Sequence, residues 1–313
     1  MRTFTHRRLI LPIVCAAGLS LVAACGSSSS SSHGGSGMPG MTMPSFAATS
    51  PSGATAGAGT STASSMPGMD MGSEPMPTGD GLTAGSQGFT FAPTASTLGS
   101  GGFSFRILGA DGKPVTAFEP DQTKLMHFYL VRSDLTGFQH VHPTMAADGT
   151  WTAPLTAAEP GAYRVFASFI TKGADSKPVA LVLSSPVTAP GTASSSPLPA
   201  PAPSTTVDGY TVTVDASQMM AGMAMPLKVS ISKGGTPVTD LQPYLDTYAH
   251  LSAFHAGDLA FAHLHPEGAA ATGTGGPDLT FQASLPKPGD WRLFVQFQTG
   301  GVLHTAAITV HVG

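Results

Sequence analysis

The chain has 313 residues, of which only 10% are charged, and its 14 Lys and Arg stand against 18 Asp and Glu, a formal charge of −4. No basic patch is visible in this balance, which argues against nucleic acid as a partner.

Residues 1–25 are predicted to be a lipoprotein signal peptide. Three arginines within the first eight residues give a basic start, and Leu9 to Ala24 form a short apolar run. This pattern is typical of a secretory signal and is too short for a spanning helix. The run ends in Val22-Ala23-Ala24-Cys25, which resembles a bacterial lipobox and predicts lipid on Cys25. Ordinary cleavage beside an incidental cysteine is the alternative.

Removal of this segment changes the charge and the thiol content of the mature chain. It would carry 11 Lys and Arg against 18 Asp and Glu, a formal charge of −7. Cys15 lies in the removed segment, so lipid on Cys25 leaves no free thiol. Disulfides and thiolate metal sites are then excluded, and any metal must be held by other side chains.

Residues 26–84 are predicted to be a disordered tether, because their Ser, Gly, Ala, Thr and Pro bury too little apolar surface to fold. The tether repeats the hexamer M-P-G-M-x-M, whose methionines are Met38, Met41, Met43, Met66, Met69 and Met71. Thioethers suit Cu(I), so these residues are candidate ligands. The alternative is a low-complexity tether with incidental or oxidant-scavenging methionines. A degenerate third copy spans Met220 to Met225.

Two segments of about a hundred residues follow, 85–189 and 205–313, each long enough for one small core. They are joined by a Pro-rich stretch, 190–204, predicted to be a semi-rigid extended linker. Short alternating runs such as Phe103–Ile107 and Leu227–Ile231 lead to glycine turns, and no helical period is present. The predicted fold is all-β, with two tandem antiparallel, immunoglobulin-like sandwiches after the tether.

Alternation later in each segment predicts one core face per domain. These faces are Tyr163, Val165, Ala167 and Phe169 in the first domain, and Trp291, Leu293, Val295 and Phe297 in the second. Phe166 and Phe294 fall on the opposite face. They are expected to cover a sheet edge or to meet a partner, and the sequence does not choose between the two.

The two segments also carry one histidine pattern at identical spacing. A first histidine is followed after thirteen and fifteen residues by two more, and after sixteen by proline. The six positions are His127, His140 and His142 in the first copy, and His250, His263 and His265 in the second. Most other residues between Pro114 and Pro143 differ from their counterparts, so the shared imidazoles suggest a shared chemistry. Histidine is the commonest protein metal ligand.

Hairpin geometry predicts that each trio converges. A turn centred between Asp134 and Leu135 places His127 opposite His142, and one between Gly257 and Asp258 places His250 opposite His265. Opposed β-carbons are about 4.5–5.5 Å apart, so three imidazoles can reach one ion at roughly 2.0–2.1 Å. Hydrogen-bonded structural histidines are the alternative. The remaining histidines of the second segment, His255, His304 and His311, are expected to be solvated.

The stretches Met126 to Pro143, His250 to Pro266 and Pro288 to Phe294 resemble bacterial exported domains called heavy-metal-binding or YtkA-like. These are similar in outline to the small periplasmic copper-binding sandwiches of the CopC kind. The resemblance covers both domains but not the tether, and it implies a CopC-like fold and copper binding. The chain lacks the N-terminal histidine that CopC-type sites commonly use.

These features predict a metal-binding lipoprotein, anchored by lipid on the extracytoplasmic face of the cell membrane, that captures, buffers or delivers copper. Cu(I) is expected at the methionines, and Cu(II) or Zn(II) at the histidines. The implied partners are the membrane and a copper transporter or another envelope protein. No nucleophile elbow, zinc-protease motif or phosphate loop points to an enzyme. The alternative function is a non-metal structural or protein-interaction lipoprotein of the cell envelope.

Overall fold

The computed structural model describes residues 79–99, 101–268 and 271–313. Every regular element among them is a β-strand, so the all-β prediction is confirmed. In this part of the chain no helix is long and apolar enough to cross a membrane. The signal peptide, Cys25 and residues 26–78 of the predicted tether, with its six candidate methionines, lie outside the described residues.

Among the residues that the structure describes, the first domain has nine strands, which form two separate antiparallel sheets, ordered β1-β2-β3-β7-β6 and β5-β4-β8-β9. Its strands are β1 (Gly85–Ser86), β2 (Phe89–Pro93), β3 (Phe103–Leu108), β4 (His127–Arg132), β5 (Gln139–Val141), β6 (Thr144–Met145), β7 (Trp151–Ala153), β8 (Gly161–Lys172) and β9 (Pro178–Ala189).

The second domain, outside residues 269–270, repeats this strand order in nine strands, β10-β11-β12-β16 and β15-β14-β17-β18, with β13 beside β12. Its strands are β10 (Ser204–Val207), β11 (Tyr210–Asp215), β12 (Ala224–Lys233), β13 (Thr236–Pro237), β14 (Ala249–His255), β15 (Phe261–Pro266), β16 (Asp278–Ser284), β17 (Gly289–Thr299) and β18 (Val302–Val312).

The second domain differs from the expected sandwich at β15. This strand pairs with β14 along its first part and with β16 at its end, through His265↔Gln282 and Pro266↔Phe281. The two layers are therefore joined into one continuous nine-stranded ladder. The equivalent strand β5 ends at Val141, too early to reach the opposite layer, so the first domain keeps two separate sheets.

The two predicted core faces are confirmed. Alternate residues of β8 and of β17 point into the two main cores, and all eight predicted side chains lie there. In the first core the rings of Phe105 and Phe128 stack at 5.0 Å, and Trp151 lies parallel to Phe105 at 6.4 Å. Burial of such large apolar faces supplies most of the driving force for each domain.

The outer faces of the two histidine-bearing sheets pack against each other. Residues from both domains form an interdomain cluster: Tyr129, Val131, Leu135, Phe166 and Val182 from the first, and Phe254, Leu259, Phe261 and Phe294 from the second. Phe138, which packs against this cluster, stacks on Phe294 with ring centroids 4.0 Å apart. Phe166 and Phe294 therefore meet a partner, and that partner is the other domain.

Residues 79–84, predicted as the end of the tether, contact both domains. Ser184 of the first domain donates its N–H to the carbonyl of Thr83, and Phe261 of the second donates to that of Asp80. The Asp80 carboxylate also pairs with Lys287 at 3.0 Å. We call residues 80–83 the strap.

The predicted linker also contacts the domains. Ser196 donates its N–H to Asp134 of the first domain, and Ala202 donates to the carbonyl of Thr309 in the second. Between these two points Leu198 packs against the interdomain cluster. The second half of the stretch is therefore held at Ser196 and at Ala202, on either side of Leu198.

Candidate metal centre at the domain boundary

The β4–β5 hairpin brings three histidines of the first domain to one place. Its register pairs Phe128 with Val141, so one position further along His127 lies opposite His142, as the turn geometry predicted. His140 is two residues from His142 and shares its face. The turn is tight, with Leu135 at φ +63° and Gly137 at φ +61°. We call His127, His140 and His142 the histidine trio.

The rings of the histidine trio lie in mutual contact. His127 Nδ1 is 3.0 Å from His140 Nε2. The His142 ring centroid is 5.0 Å from that of His127 and 4.8 Å from that of His140. One ring nitrogen from each residue lies within 4.8 Å of the others. Small side-chain movements would therefore place all three nitrogens at bonding distance, roughly 2.0–2.1 Å, from one ion.

In His127 and His140, the hydrogen bond of one ring nitrogen determines whether the other ring nitrogen, which faces the neighbouring histidine, holds a proton. His127 Nε2 lies 3.0 Å from the backbone carbonyl of Asp121, which only accepts, so the proton of the neutral ring sits there. His140 Nδ1 lies 2.7 Å from Oε1 of Gln296, another acceptor. With both rings neutral and in these tautomers, the two nitrogens that face each other are both unprotonated. Two lone pairs at 3.0 Å repel unless a proton or a metal ion lies between them.

A proton on His140 or on His142 is disfavoured. Burial lowers the pKa of His140 well below its usual value, and the neighbouring His127 and His142 lower it further. Burial, with His127 and Lys124, lowers the pKa of His142 to about 3. Both imidazoles are therefore neutral near pH 7, the form that binds metals. His142 Nε2 is a buried atom with no hydrogen-bond partner among the described residues.

His250 of the second domain approaches this trio across the boundary. Its ring stacks parallel to that of His127 at 5.5 Å and lies 4.6 Å from that of His140. Its Nδ1 contacts Oε1 of Gln122 at 2.8 Å, and its Nε2 contacts the Tyr129 hydroxyl at 3.2 Å. Gln122 Oε1 accepts the proton of Nδ1, and the Tyr129 hydroxyl donates its proton to Nε2. Both nitrogens of His250 are thus engaged in docking the domains.

The second predicted trio is described only in part. The β14–β15 register pairs Leu251 with Leu264, so the backbone of His265 lies opposite His250, as predicted. The side chains of His263 and His265 lie outside the described residues.

The other histidines of the second domain pair with aspartates: His255 with Asp258, His304 with Asp208 and His311 with Asp290. The expectation that they are solvated is wrong for His304, which is buried against Thr299. It is also incomplete for His255, which bonds to the Pro288 carbonyl as well.

Four residues around the histidine trio were not found from the sequence: Asp121, Gln122, Tyr129 and Gln296. All four differ between the copies, since Tyr244, Leu245, Ser252 and Ser168 stand at the places of Asp121, Gln122, Tyr129 and Gln296. A search for shared residues passes over them. The difference itself is the available signal, because two copies that face each other need unlike side chains to interlock.

Comparison with known proteins gives a family and distant structural likenesses. The family described as Domain of unknown function (DUF8832) matches residues 86–180 and 205–313. No curated protein sequence matches the chain.

Among solved structures, the chain is similar to the Escherichia coli adhesin FdeC, with 16% identity over 75% of this chain and 66% of that one, at a TM-score of 0.23. It is similar to a tetra-tandem repeat from the extending region of a large adhesion protein, with 12% identity over 72% and 49% of the chains, at 0.21. It is also similar to a Corynebacterium diphtheriae protein described as membrane anchored, with 10% identity over 72% of this chain and 59% of that one, at a TM-score of 0.20. This chain thus spans 49% to 66% of those chains. TM-scores this low carry no functional argument.

Proposed function

The chain belongs, over both of its β domains, to the family described as Domain of unknown function (DUF8832), and we propose that it is a metal-binding protein whose centre is the histidine trio. The observation that carries this proposal is the meeting of His127 Nδ1 and His140 Nε2 at 3.0 Å, with the other nitrogen of each ring turned to an acceptor. A bound cation removes the repulsion between the two lone pairs.

The surroundings of the histidine trio support a transition-metal ion. Ligating histidines almost always donate their second N–H to a carbonyl or carboxylate, and His127 and His140 both do so. Imidazole ligands suit Zn, Cu, Fe and Ni, whereas Ca and Mg prefer oxygen. Cu(II) or Zn(II) is therefore the proposed occupant, and three protein ligands leave a fourth position for water or a transfer partner.

The cellular setting is part of the proposal and comes from the sequence. The signal pattern and Cys25 support a lipid anchor on the extracytoplasmic face of the membrane. The methionine hexamers support capture of Cu(I) ahead of the domains. Capture, buffering or delivery of copper to a transporter or another envelope protein fits this arrangement.

The first test is metal titration of the full mature chain with Zn(II) and Cu(II) against a competing chelator. We expect one strong site in the unaltered chain. His142→Ala should weaken it by at least about 100-fold, since even partners of ligands are worth 10–100-fold in affinity. His311→Ala is the matched control, because His311 is exposed and pairs with Asp290 away from the trio. Equal affinity in all three chains would contradict the proposal.

A second function is favoured by His250. Its two nitrogens are engaged across the boundary with Gln122 and Tyr129, a role that docking alone explains. Under this alternative the histidines serve to hold two domains together in a structural or protein-interaction lipoprotein of the envelope. The titration separates the two functions, because a docking protein binds no metal at the trio and His142→Ala then changes stability alone.

A further inference from the structure

Two histidine–glutamine pairs cross the domain boundary in opposite directions. His140 of the first domain contacts Gln296 of the second, and His250 of the second contacts Gln122 of the first. In both pairs the histidine uses Nδ1 and the glutamine Oε1, at 2.7 Å and 2.8 Å. Only Gln296 touches a member of the histidine trio through its pair. Both pairs therefore dock the domains, but only the pair with Gln296 can fix the proton of a trio histidine.

We propose that Gln296 is a positioning residue for the metal centre: it holds the proton of His140 on Nδ1 and so keeps the Nε2 lone pair turned toward the ion. The inference rests on the proposed metal-binding function and deepens it. The ligands of the trio all come from the first domain, whereas this residue comes from the second. The second domain is thus part of the centre.

The orientation of the Gln296 side chain is set by its own strand neighbours. Gln296 lies on β17 between His250 of β14 and Thr305 of β18. Its Nε2 donates to the Thr305 hydroxyl at 3.3 Å, which leaves Oε1 to face His140. The side chain is buried, so water does not compete for the contact. An amide held in this way presents an acceptor to His140 and no donor.

Loss of this acceptor changes the metal-free state as well as the metal-bound one. Without Gln296 Oε1, the His140 proton moves to Nε2, where it can donate to His127 Nδ1 across the 3.0 Å gap. The metal-free trio then gains a satisfied hydrogen bond in place of two opposed lone pairs. An ion must displace that proton before it binds, so the apparent affinity falls.

The test compares Gln296→Leu, Gln296→Glu and Gln298→Leu in the full chain. Gln296→Leu should weaken Zn(II) and Cu(II) binding by about 10–100-fold, and Gln296→Glu, which keeps an acceptor, should not weaken it. Gln298→Leu is the matched control on the same face of β17 and should bind as the unaltered chain does. Nitrogen NMR of the metal-free rings should show the His140 proton on Nδ1, and on Nε2 only in Gln296→Leu.

Gln122→Leu removes the reciprocal docking contact and decides between positioning and docking. A small loss of affinity in Gln122→Leu beside a large one in Gln296→Leu supports the positioning role. Equal losses would show that affinity follows docking alone and would overturn it, as would an unmoved His140 proton in Gln296→Leu. If the unaltered chain binds neither metal, the proposed function fails, while the NMR result still decides what Gln296 does to His140.

Discussion

His127 and His140 differ from His250 in what their ring nitrogens face. His250 lies between an acceptor, Gln122, and a hydroxyl that can donate, Tyr129, so a neutral imidazole is fully satisfied there. His127 and His140 each have an acceptor on the outer nitrogen and each other on the inner one. One histidine face thus contains both a docking residue and candidate ligands, and spacing in the sequence does not distinguish them.

At the residue scale, the lowered pKa of His142 predicts acid sensitivity of the metal-free protein. The unfolded chain takes up a proton near its usual pKa of roughly 6.5, whereas folded His142 does so only at about 3. Stability is therefore full above pH 6.5 or so and falls as the pH drops toward 3, by at most about 1.4 kcal/mol per pH unit for each such group. Urea unfolding of chelator-treated protein from about pH 4.5 to 7.5 measures this slope.

His142→Gln provides the control for this slope, because glutamine does not titrate. The variant should show a shallower loss of stability between about pH 6.5 and 4.5, whatever its stability at pH 7. The two carboxylates whose pKa values are lowered most have little effect on stability between about pH 6.5 and 4.5. Asp134 and Asp258 are pushed upward by burial but lowered overall by their hydrogen bonds, to a pKa of about 2, so their contribution is lost mainly below pH 4 or so. An unchanged slope in His142→Gln would show that His142 does not cause it.

At the element scale, the strap depends on a close approach at Gly81. Its φ is +68°, and a Cβ there would lie 2.9 Å from Val182 Cγ1 and 3.3 Å from side-chain atoms of Phe166 and Phe261. Gly81→Ala should therefore lower the free energy of unfolding by about 1–3 kcal/mol, the usual cost of overpacking. Gly79→Ala is the matched control, since Gly79 also has a positive φ but no atom near its added Cβ. Equal losses in the two variants would mean that backbone strain alone is responsible.

Local sequence patterns predicted the buried faces of strands and the registers of hairpins, but they did not predict the contacts between the domains. Alternation gave the core faces of β8 and β17, and turn position gave the register of both histidine hairpins, because each depends on near neighbours. The contact of His140 with Gln296 joins residues 156 positions apart, and no local period connects them. The packing of Phe166 and Phe294 between the domains depends on the same long-range docking. The strap escaped prediction because its Gly and Asp are also typical of a tether.

At the scale of the whole molecule, one boundary holds the domains together and contains the candidate centre. Aromatic side chains of the interdomain cluster lie beside the histidine trio, and Tyr129 connects the two, since it is part of the cluster and its ring stacks on His140 at 4.5 Å. A metal ion that binds only the docked form stabilises it by mass action. Occupancy of the trio and docking of the second domain are therefore expected to reinforce each other, because linkage is reciprocal.

The methionine hexamers and the histidine trio are expected to bind different metals, since soft thioethers suit Cu(I) and imidazoles suit Cu(II) or Zn(II). Deletion of residues 34–78 removes the six candidate methionines and stops short of Asp80, where contacts with the domains begin. We expect the shortened chain to lose its Cu(I) capacity and to keep its divalent site, and His142→Ala to do the reverse. Competition titrations with Cu(I) under reductant and with Zn(II) measure both capacities in each chain.

Thioethers do not titrate in the acidic range, so Cu(I) capacity should persist at pH 5 or so, whereas the divalent site weakens when its imidazoles take up protons. Loss of the same metal to the same degree in both variants would rule out two kinds of site, and a full chain that binds no metal would leave the interaction lipoprotein in its place.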